Sequence, residues 1–406
     1  MWSRVVTFNA AHGSPTWTTG SWFTAGFRSG LFLLTIVLLS HAGEPSSLGA
    51  SNPNGDWPVF RGTPELSGWA NGRLPDKPSL LWSFKSGDKI KSSPVIGHGR
   101  VFIGSSDGKV YALGLADGTK IWEFNATNAV EAPPLLVDNT VFVGSLHGTL
   151  FALDAARGTA KWRYDTEGKI MGSANWIPAA RGEGKWILLG SYDNVMHCVD
   201  ARDGRRIWTY ETQNYINGSP AVAEGNVVFG GCDGQVHVVS AADGKSLTEI
   251  GVGSYIAGSA ALAGGRAYVG HYGGLLICVD LKEKKVLWEY GNKEGGDPFF
   301  ASPAVSADRI VIGGRDGQVH CVGRADGKKK WTFKTRGDVD SSPVICGDKV
   351  IAGSADGRLY LLRLADGVLI WSYEIGAPIT GSPAVADDRV VIGAEDGRLY
   401  TFGKSR

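Results

Sequence analysis

Hydrophobic positions along this chain fall in short runs separated by polar and glycine-containing turns. Between Ser92 and Phe124 the runs are SSPVI, RVFIGS, KVYAL and TKIWEF, here called strands A, B, C and D. Val, Ile, Tyr, Phe and Trp dominate them, which is the composition of β-strands rather than helices. The same four-run pattern returns along the chain, for example as SSPVICGDKVIAGSADGRLYLLRLADGVLIWSY from Ser341 to Tyr373. One position marks the B–C turn of each copy: Asp107, His147, Asp193, Asp233, Gly273, Asp316, Asp356 and Asp396, in steps of 40, 46, 40, 40, 43, 40 and 40 residues. A period of that length with four short strands per unit predicts an all-β fold, an eight-bladed β-propeller with four antiparallel strands per blade.

The turns carry their own chemistry. Asp-Gly recurs between B and C, as at Asp107-Gly108 and Asp233-Gly234, and again between C and D, as at Asp117-Gly118 and Asp203-Gly204. Such pairs suit tight hairpins that need a positive φ. No helix follows these glycines, so they are not phosphate loops. Tryptophan keeps the same period on strand D, at Trp82, Trp122, Trp162, Trp208, Trp288, Trp331 and Trp371, with Thr248 in the fourth blade. These rings are expected to pack blade against blade. The last repeat ends after strand C, whereas Leu80–Phe84 copies the strand-D pattern near the start of the propeller. Strand 80–84 is therefore expected to complete blade eight and remove the open sheet edges.

Ahead of the propeller (77–406) lie two further segments. Residues 1–42 read as a signal peptide with a long n-region: Arg28, the apolar run 31–39 and a small-x-small site at Ser40-His41-Ala42. No cysteine follows that site, so the expectation is an exported protein, periplasmic or secreted, that is not a lipoprotein and has no transmembrane span once mature. Residues 43–76 read as a linker and lead-in, of which 43–55 is rich in Ser, Gly, Pro and Asn.

With 41 basic and 40 acidic residues the net charge is +1 and no basic stripe stands out, so no nucleic acid partner is expected. Three of the five cysteines, Cys198, Cys278 and Cys321, share one strand-C register on different blades, too far apart to bridge; with Cys232 and Cys346 they are expected to be free thiols. His197, His237 and His320 stand where other blades carry Tyr111, Phe151, Tyr360 and Tyr400, and read as packing rather than a metal triad. No catalytic or metal motif is expected.

The segment Ala152–Trp162 resembles the tryptophan-docking motif A-x-D-x-x-x-G-x-x-x-W of the pyrroloquinoline quinone (PQQ) repeat family, with near copies at Ala112–Trp122 and Cys198–Trp208. Asp56–Gly62 resembles the opening of PQQ-like proteins, and the likeness runs over about residues 56–406. It implies a quinoprotein-like propeller and two alternative functions. One is a non-catalytic cell-envelope scaffold or protein-binding module similar to BamB, the outer-membrane assembly propeller, with envelope proteins as partners and no cofactor. The alternative is a PQQ-dependent dehydrogenase of alcohols or sugars, with PQQ and Ca²⁺. Against the enzyme stand Lys91 where the enzymes carry a quinone-contacting Glu (a Glu, Glu131, comes one blade later), no adjacent cysteine pair, and no long insertions.

Repeats also expose what the scaffold leaves free. The residue before the small pair of strand A varies: Lys91, Glu131, Met171, Asn217, Ala257, Phe300, Asp340 and Thr380. Its preceding neighbour stays apolar: Ile90, Val130, Ile170, Ile216, Ile256, Phe299, Val339 and Ile379. Strand A lines the channel of a propeller, so the varied residues are expected to ring one mouth, with Tyr215, Tyr255 and Trp176 adding aromatic surface. On a monomer the ring reads either as a mixed-charge, aromatic binding rim, without catalytic residues, or as a solvated channel rim with no ligand.

Overall fold

A computed structural model describes residues 55–180 and 182–405; the signal-peptide reading of 1–42 and most of the linker reading of 43–55 fall outside the described residues. Among those described, every regular element is a β-strand, and the strands form eight sheets of order A-B-C-D, one per repeat. Ser79–Lys85 pairs antiparallel with Arg398–Gly403, Leu80 opposite Phe402 and Phe84 opposite Leu399, so the N-terminal strand closes blade eight as expected, one residue longer at each end. Strand A is shorter than its pattern: in blade one only Val95–Gly97 joins the ladder, and Ser92–Pro94 lies ahead of it, with a bend at Ser92.

One tryptophan ties each blade to the next. The Nε1 of Trp122 donates to the Ala155 carbonyl (3.0 Å) in the next C–D turn. Trp82, Trp162, Trp208, Trp288 and Trp331 do the same to Leu115, Ala201, Ala241, Arg324 and Leu364 at 2.9–3.3 Å. The glycine of that turn lies under the indole: a Cβ at Gly118, Gly158, Gly204, Gly244, Gly327 or Gly367 would sit 2.5–2.7 Å from the ring, and all six have positive φ. The motif of the second blade is thereby explained. Asp154 accepts the turn N–H groups of Ala156 and Arg157, Gly158 seats the preceding Trp122, and Trp162 reaches forward. Trp371 instead packs edge-on against Phe402 at 5.5 Å. The seam between blades four and five departs on both sides. Thr248 faces Val238 where a tryptophan is expected, and Lys284, at φ +55°, replaces the glycine.

A second contact accounts for the constant apolar residues. The glycine ending each strand B leaves a socket for the next blade: Gly104 for Val130, Gly144 for Ile170, Gly230 for Ile256, Gly313 for Val339, Gly353 for Ile379 and, across the closure, Gly393 for Ile90. Any side chain at these glycines would collide with that residue, so both partners are held in type.

The lead-in is part of the ring, not a linker, from Trp57 onward. Carbonyls of Trp57, Pro58, Pro64, Glu65, Ser67 and Gly68 accept the strand-A N–H groups of Ile96, Leu136, Val222, Leu262, Val305 and Ile345 at 2.7–2.9 Å. In blade three the Asn175 side chain stands in, donating to the Pro64 carbonyl (2.8 Å) and accepting from the Trp176 N–H (2.8 Å). Trp69–Ala70 then adds a parallel fifth strand to blade seven. The segment thus plugs one end of the channel. At its centre Arg61, 1% exposed, donates to the carbonyls of Ser342 (3.0 Å), Pro343 (2.6 Å) and Pro303 (3.1 Å). Among the described residues no carboxylate pairs with it, and burial pushes its pKa down, to about 9, so the guanidinium is still charged at neutral pH. Main-chain dipoles do the work of water here, as a buried charge requires.

Above the plug the blades share a serine relay. The N–H groups of Ser173, Ser219, Ser259, Ser302, Ser342 and Ser382 donate to the hydroxyls of Ser219, Ser259, Ser302, Ser342, Ser382 and Ser93 at 2.8–3.0 Å. Pro133 in blade two, with neither N–H nor hydroxyl, interrupts it.

All five cysteines are free; four are buried, whereas Cys232 is only half-buried. Burial pushes the thiols of Cys278 and Cys346 up to about 11 and that of Cys321 up to about 12. The three strand-C histidines brace turns. Nε2 of His197, His237 and His320 lies 3.0–3.2 Å from Asp193, Asp233 and Asp316, and Nδ1 3.0–3.1 Å from Tyr164, Tyr210 and Tyr290 of the preceding blade. Tyr111, Tyr360 and Tyr400 reach their own turn aspartates in the same way.

Candidate functional site

The end of the channel opposite the plug is open. All eight varied residues border a single chamber there of about 180 Å³, with Phe60 of the plug and the relay serines among its other lining residues. Each polar member of the ring is engaged. Lys91 Nζ lies 3.2 Å from Glu131, which also accepts from the Ser106 hydroxyl (3.2 Å). Asp340 takes both arms of Arg315 at 3.0 and 2.8 Å, and that guanidinium lies 3.7 Å over the Phe300 ring. The Asp340 hydrogen bond raises the Arg315 pKa, which keeps the guanidinium charged. Asn217 accepts from the Tyr192 hydroxyl (2.6 Å) and donates to the Ala257 carbonyl (2.6 Å). The Thr380 hydroxyl reaches Glu395 (3.4 Å), which is paired with Lys89 at 2.7 Å. No carboxylate of the ring stands free as a general base.

Most of these partners come from a second ring not read from the sequence. It is the residue just before the B–C turn marker: Ser106, Leu146, Tyr192, Cys232, Tyr272, Arg315, Ala355 and Glu395. Its N–H bonds the carbonyl two residues before the varied position, as in Ser106 to Lys89 and Tyr272 to Tyr255, which brings the two rings into register. The contrast between repeats that exposed the first ring would have exposed this one.

Tyr215 and Tyr255 lie at the mouth, 47% and 57% exposed. Tyr215 stacks on Tyr192, centroids 4.7 Å apart and planes within 2°. Tyr255 leans on Tyr272 (6.3 Å), and Tyr272 on Phe300 (5.7 Å). Trp176 is not at the mouth. It occupies the strand position that Ile96 and Leu136 hold at the plug, pairs with Ile187, and carries Lys185 at 4.6 Å over its ring. It stands five residues beyond Met171, on the strand that starts at Asn175, at the other end.

The residues present do not suit a quinone with a Lewis-acid metal. Among the described residues no three His, Cys, Asp or Glu side chains gather to hold a metal ion. The mouth carboxylates Glu131, Asp340 and Glu395 are each tied to a cation on the rim. The chamber, about 180 Å³, is smaller than the roughly 300–1,000 Å³ of most small-molecule sites.

Similar folds occur among solved structures. BamB from Moraxella catarrhalis is 20% identical with a TM-score of 0.69, covering 81% of this chain and 98% of that one. A quinohemoprotein alcohol dehydrogenase from Comamonas testosteroni is 13% identical with a TM-score of 0.71, covering 88% and 82%. A europium-containing methanol dehydrogenase is 13% identical with a TM-score of 0.70, covering 89% and 99%. At such identities the likeness is one of fold, and scaffolds and enzymes share it. No curated protein sequence matches the chain. The PQQ_2 family model, described as outer membrane protein assembly factor BamB, matches residues 75–182, 171–250 and 232–405, and the chain belongs to that family.

Proposed function

We propose that this chain is a non-catalytic cell-envelope β-propeller, a scaffold or protein-binding module similar to BamB, which receives a partner protein at its open mouth. The observation that carries this reading is the mouth itself: two rings of residues that vary between otherwise constant repeats, with three exposed tyrosines at 47–57%. Below them the channel is a dead end, floored by Phe60 and closed by main chain. Aromatic surface over a rigid frame suits docking, and the carboxylates of the ring are ion-paired. Export of a monomer without a lipid anchor is part of the same proposal. Among the described residues no helix is long and apolar enough to cross a membrane.

A photo-crosslinking amino acid at Tyr255 tests it. In envelope extracts it should capture one protein partner, and the same probe at exposed Val368, just before the outer strand of blade seven, should not. Equal capture at both positions would overturn the docking face. The dehydrogenase reading is tested by calorimetric titration with PQQ and Ca²⁺; stoichiometric binding at micromolar affinity, lost in Glu131→Ala or Asp340→Ala, would replace the scaffold by an enzyme.

A further inference from the structure

One seam of the ring lacks what the others supply. The first residue of strand B is an arginine in blades one, six and eight, and each of these crosses to a carbonyl in the C–D turn of the next blade. Arg100 donates to Ala155 (2.7 Å), Arg309 to Leu364 and Ala365 (2.9 and 2.5 Å), and Arg389 to Leu115 (2.9 Å). The carbonyls of Ala155, Leu364 and Leu115 take a tryptophan indole as well. Between blades four and five both donors are absent. Asn226 stands in place of the arginine and Thr248 in place of the tryptophan. The corresponding carbonyl, that of Leu281, has no donor among the described residues. A hollow of about 470 Å³ opens at this point of the plugged end, bordered by Asn226 and Leu281, by apolar Leu262 and Ala263, and by Glu65 and Glu224. Neither glutamate side chain has a hydrogen-bond or ion-pair partner among the described residues. Two cations also border it. Arg266 shares a strand face with Tyr268, which packs on Trp288 (6.1 Å) toward blade six, so its side chain leads away from the hollow. Lys282 is exposed at the rim.

We propose that this hollow seats one arginine side chain of a partner polypeptide, in the place that the chain's own arginines fill in three other seams. The site lies at the end opposite the mouth and does not depend on the docking reading above. A guanidinium is a planar cation with five N–H donors, enough to serve the Leu281 carbonyl and a carboxylate together. An indole would serve the carbonyl alone, and Lys284 already reaches across the seam to the Leu247 carbonyl (3.1 Å). An anionic guest would gain Lys282 but face both glutamates. The volume falls within the roughly 300–1,000 Å³ of ligand pockets, so residues flanking the arginine fit beside it, which selects a polypeptide over a free guanidinium compound. The comparable hollow between blades two and three is already served. There Trp162 donates to the Ala201 carbonyl, and Lys161 donates to Thr140 and to the Asn139 carbonyl.

Ligand-observed NMR titration of the full chain with the peptide acetyl-Gly-Gly-Arg-Gly-Gly-amide tests this. The peptide should bind, and binding should weaken about tenfold or more when citrulline, neutral and of the same shape, replaces the arginine. Lysine in its place should cost about threefold or more, because an ammonium cannot fork between two acceptors. Added salt should weaken binding. Glu224→Gln should weaken it about threefold. Asn226→Arg, which supplies a guanidinium from within, should abolish binding and raise the melting temperature, whereas Tyr255→Ala at the mouth should leave binding unchanged. Circular dichroism would verify that Asn226→Arg folds, and Glu224→Gln keeps the test decisive if it does not. No binding, equal binding of the citrulline peptide, or binding that survives Asn226→Arg would overturn the proposal. So would N-acetyl-arginine amide binding as tightly as the peptide, which would assign the hollow to a small guanidinium compound. Loss of binding in Tyr255→Ala would place the arginine at the mouth and sink this inference, while leaving the scaffold reading standing.

Discussion

The two ends of the channel are built from the same eight strands and are held in opposite ways. At the plugged end the strand-A residues are Ile96, Leu136, Val222, Leu262, Val305 and Ile345, all aliphatic, each giving its N–H to a carbonyl of the lead-in. Five residues earlier in the same strands, at the mouth, stand Lys91, Glu131, Asn217, Ala257, Phe300 and Asp340. Five residues of chain, bent just after the mouth residue, separate an end where main chain satisfies main chain from one where side chains meet water. A buried backbone group allows little variation, because leaving it unpaired is expensive. The mouth escapes that demand, so variation there is open to serve binding.

Removing the plug is the harshest test of the comparison. Deleting Trp57–Ala70 would orphan six buried N–H groups, at about 1–3 kcal/mol each. That is comparable with the whole stability of a domain, about 5–15 kcal/mol. The variant should aggregate or melt far lower by circular dichroism; a soluble variant of unchanged melting temperature would mean the inner strands need no cap. Deleting Ser79–Lys85 should do similar damage by reopening blade eight. Arg61→Ala is milder. It strips three carbonyls of a charged donor, and chemical denaturation should register a loss of about 1–3 kcal/mol for each carbonyl left unpaired. A loss below about 1 kcal/mol would show that water replaces the guanidinium.

Acid should separate the two ends. Burial raises the pKa of Asp193 and Asp316, but the hydrogen bonds and charge of His197 and His320, with backbone N–H groups, more than offset it, and both end below the usual value. A carboxylate depressed in the folded state lends stability above its unfolded pKa of about 3.9, and that stability is lost as pH falls through the lower folded value. Hydrogen exchange below about pH 4 should therefore loosen the B–C turns of blades three and six before the amides at the plug. Simultaneous loosening would contradict the contrast. The smallest effect is expected at the rim. Tyr255→Ala should change stability by no more than about 0.5 kcal/mol, yet cost the protein its partner at the mouth.

Much of this was legible in the chain. The Asp154–Gly158–Trp162 spacing announced the docking of one blade on the next, and the missing strand D announced the closure, because each is written locally and repeated. The varied ring from Lys91 to Thr380 was legible by contrast with its constant neighbours, and all eight members do border one chamber. Trp176 misled because nearness in sequence says nothing about which end of an extended strand a residue occupies. The second ring, with Tyr272 and Arg315, was written in the same contrast one residue before each turn marker, but its pairing with the first depends on how blade faces blade.

By itself, then, the sequence determined the number of blades, their strands, the tryptophan seams with the exception at Thr248, and the strand that closes the ring. Each is a side-chain preference recurring at a fixed period, which a linear reading can detect. The tertiary structure alone decided that the lead-in is a plug, that Arg61 is a buried cation on carbonyls, and that the second ring meets the first across the blades. Main-chain carbonyls carry no residue signature, and the Arg61 bond to Ser342 spans 281 residues. Contacts of that kind exist only once the ring has closed.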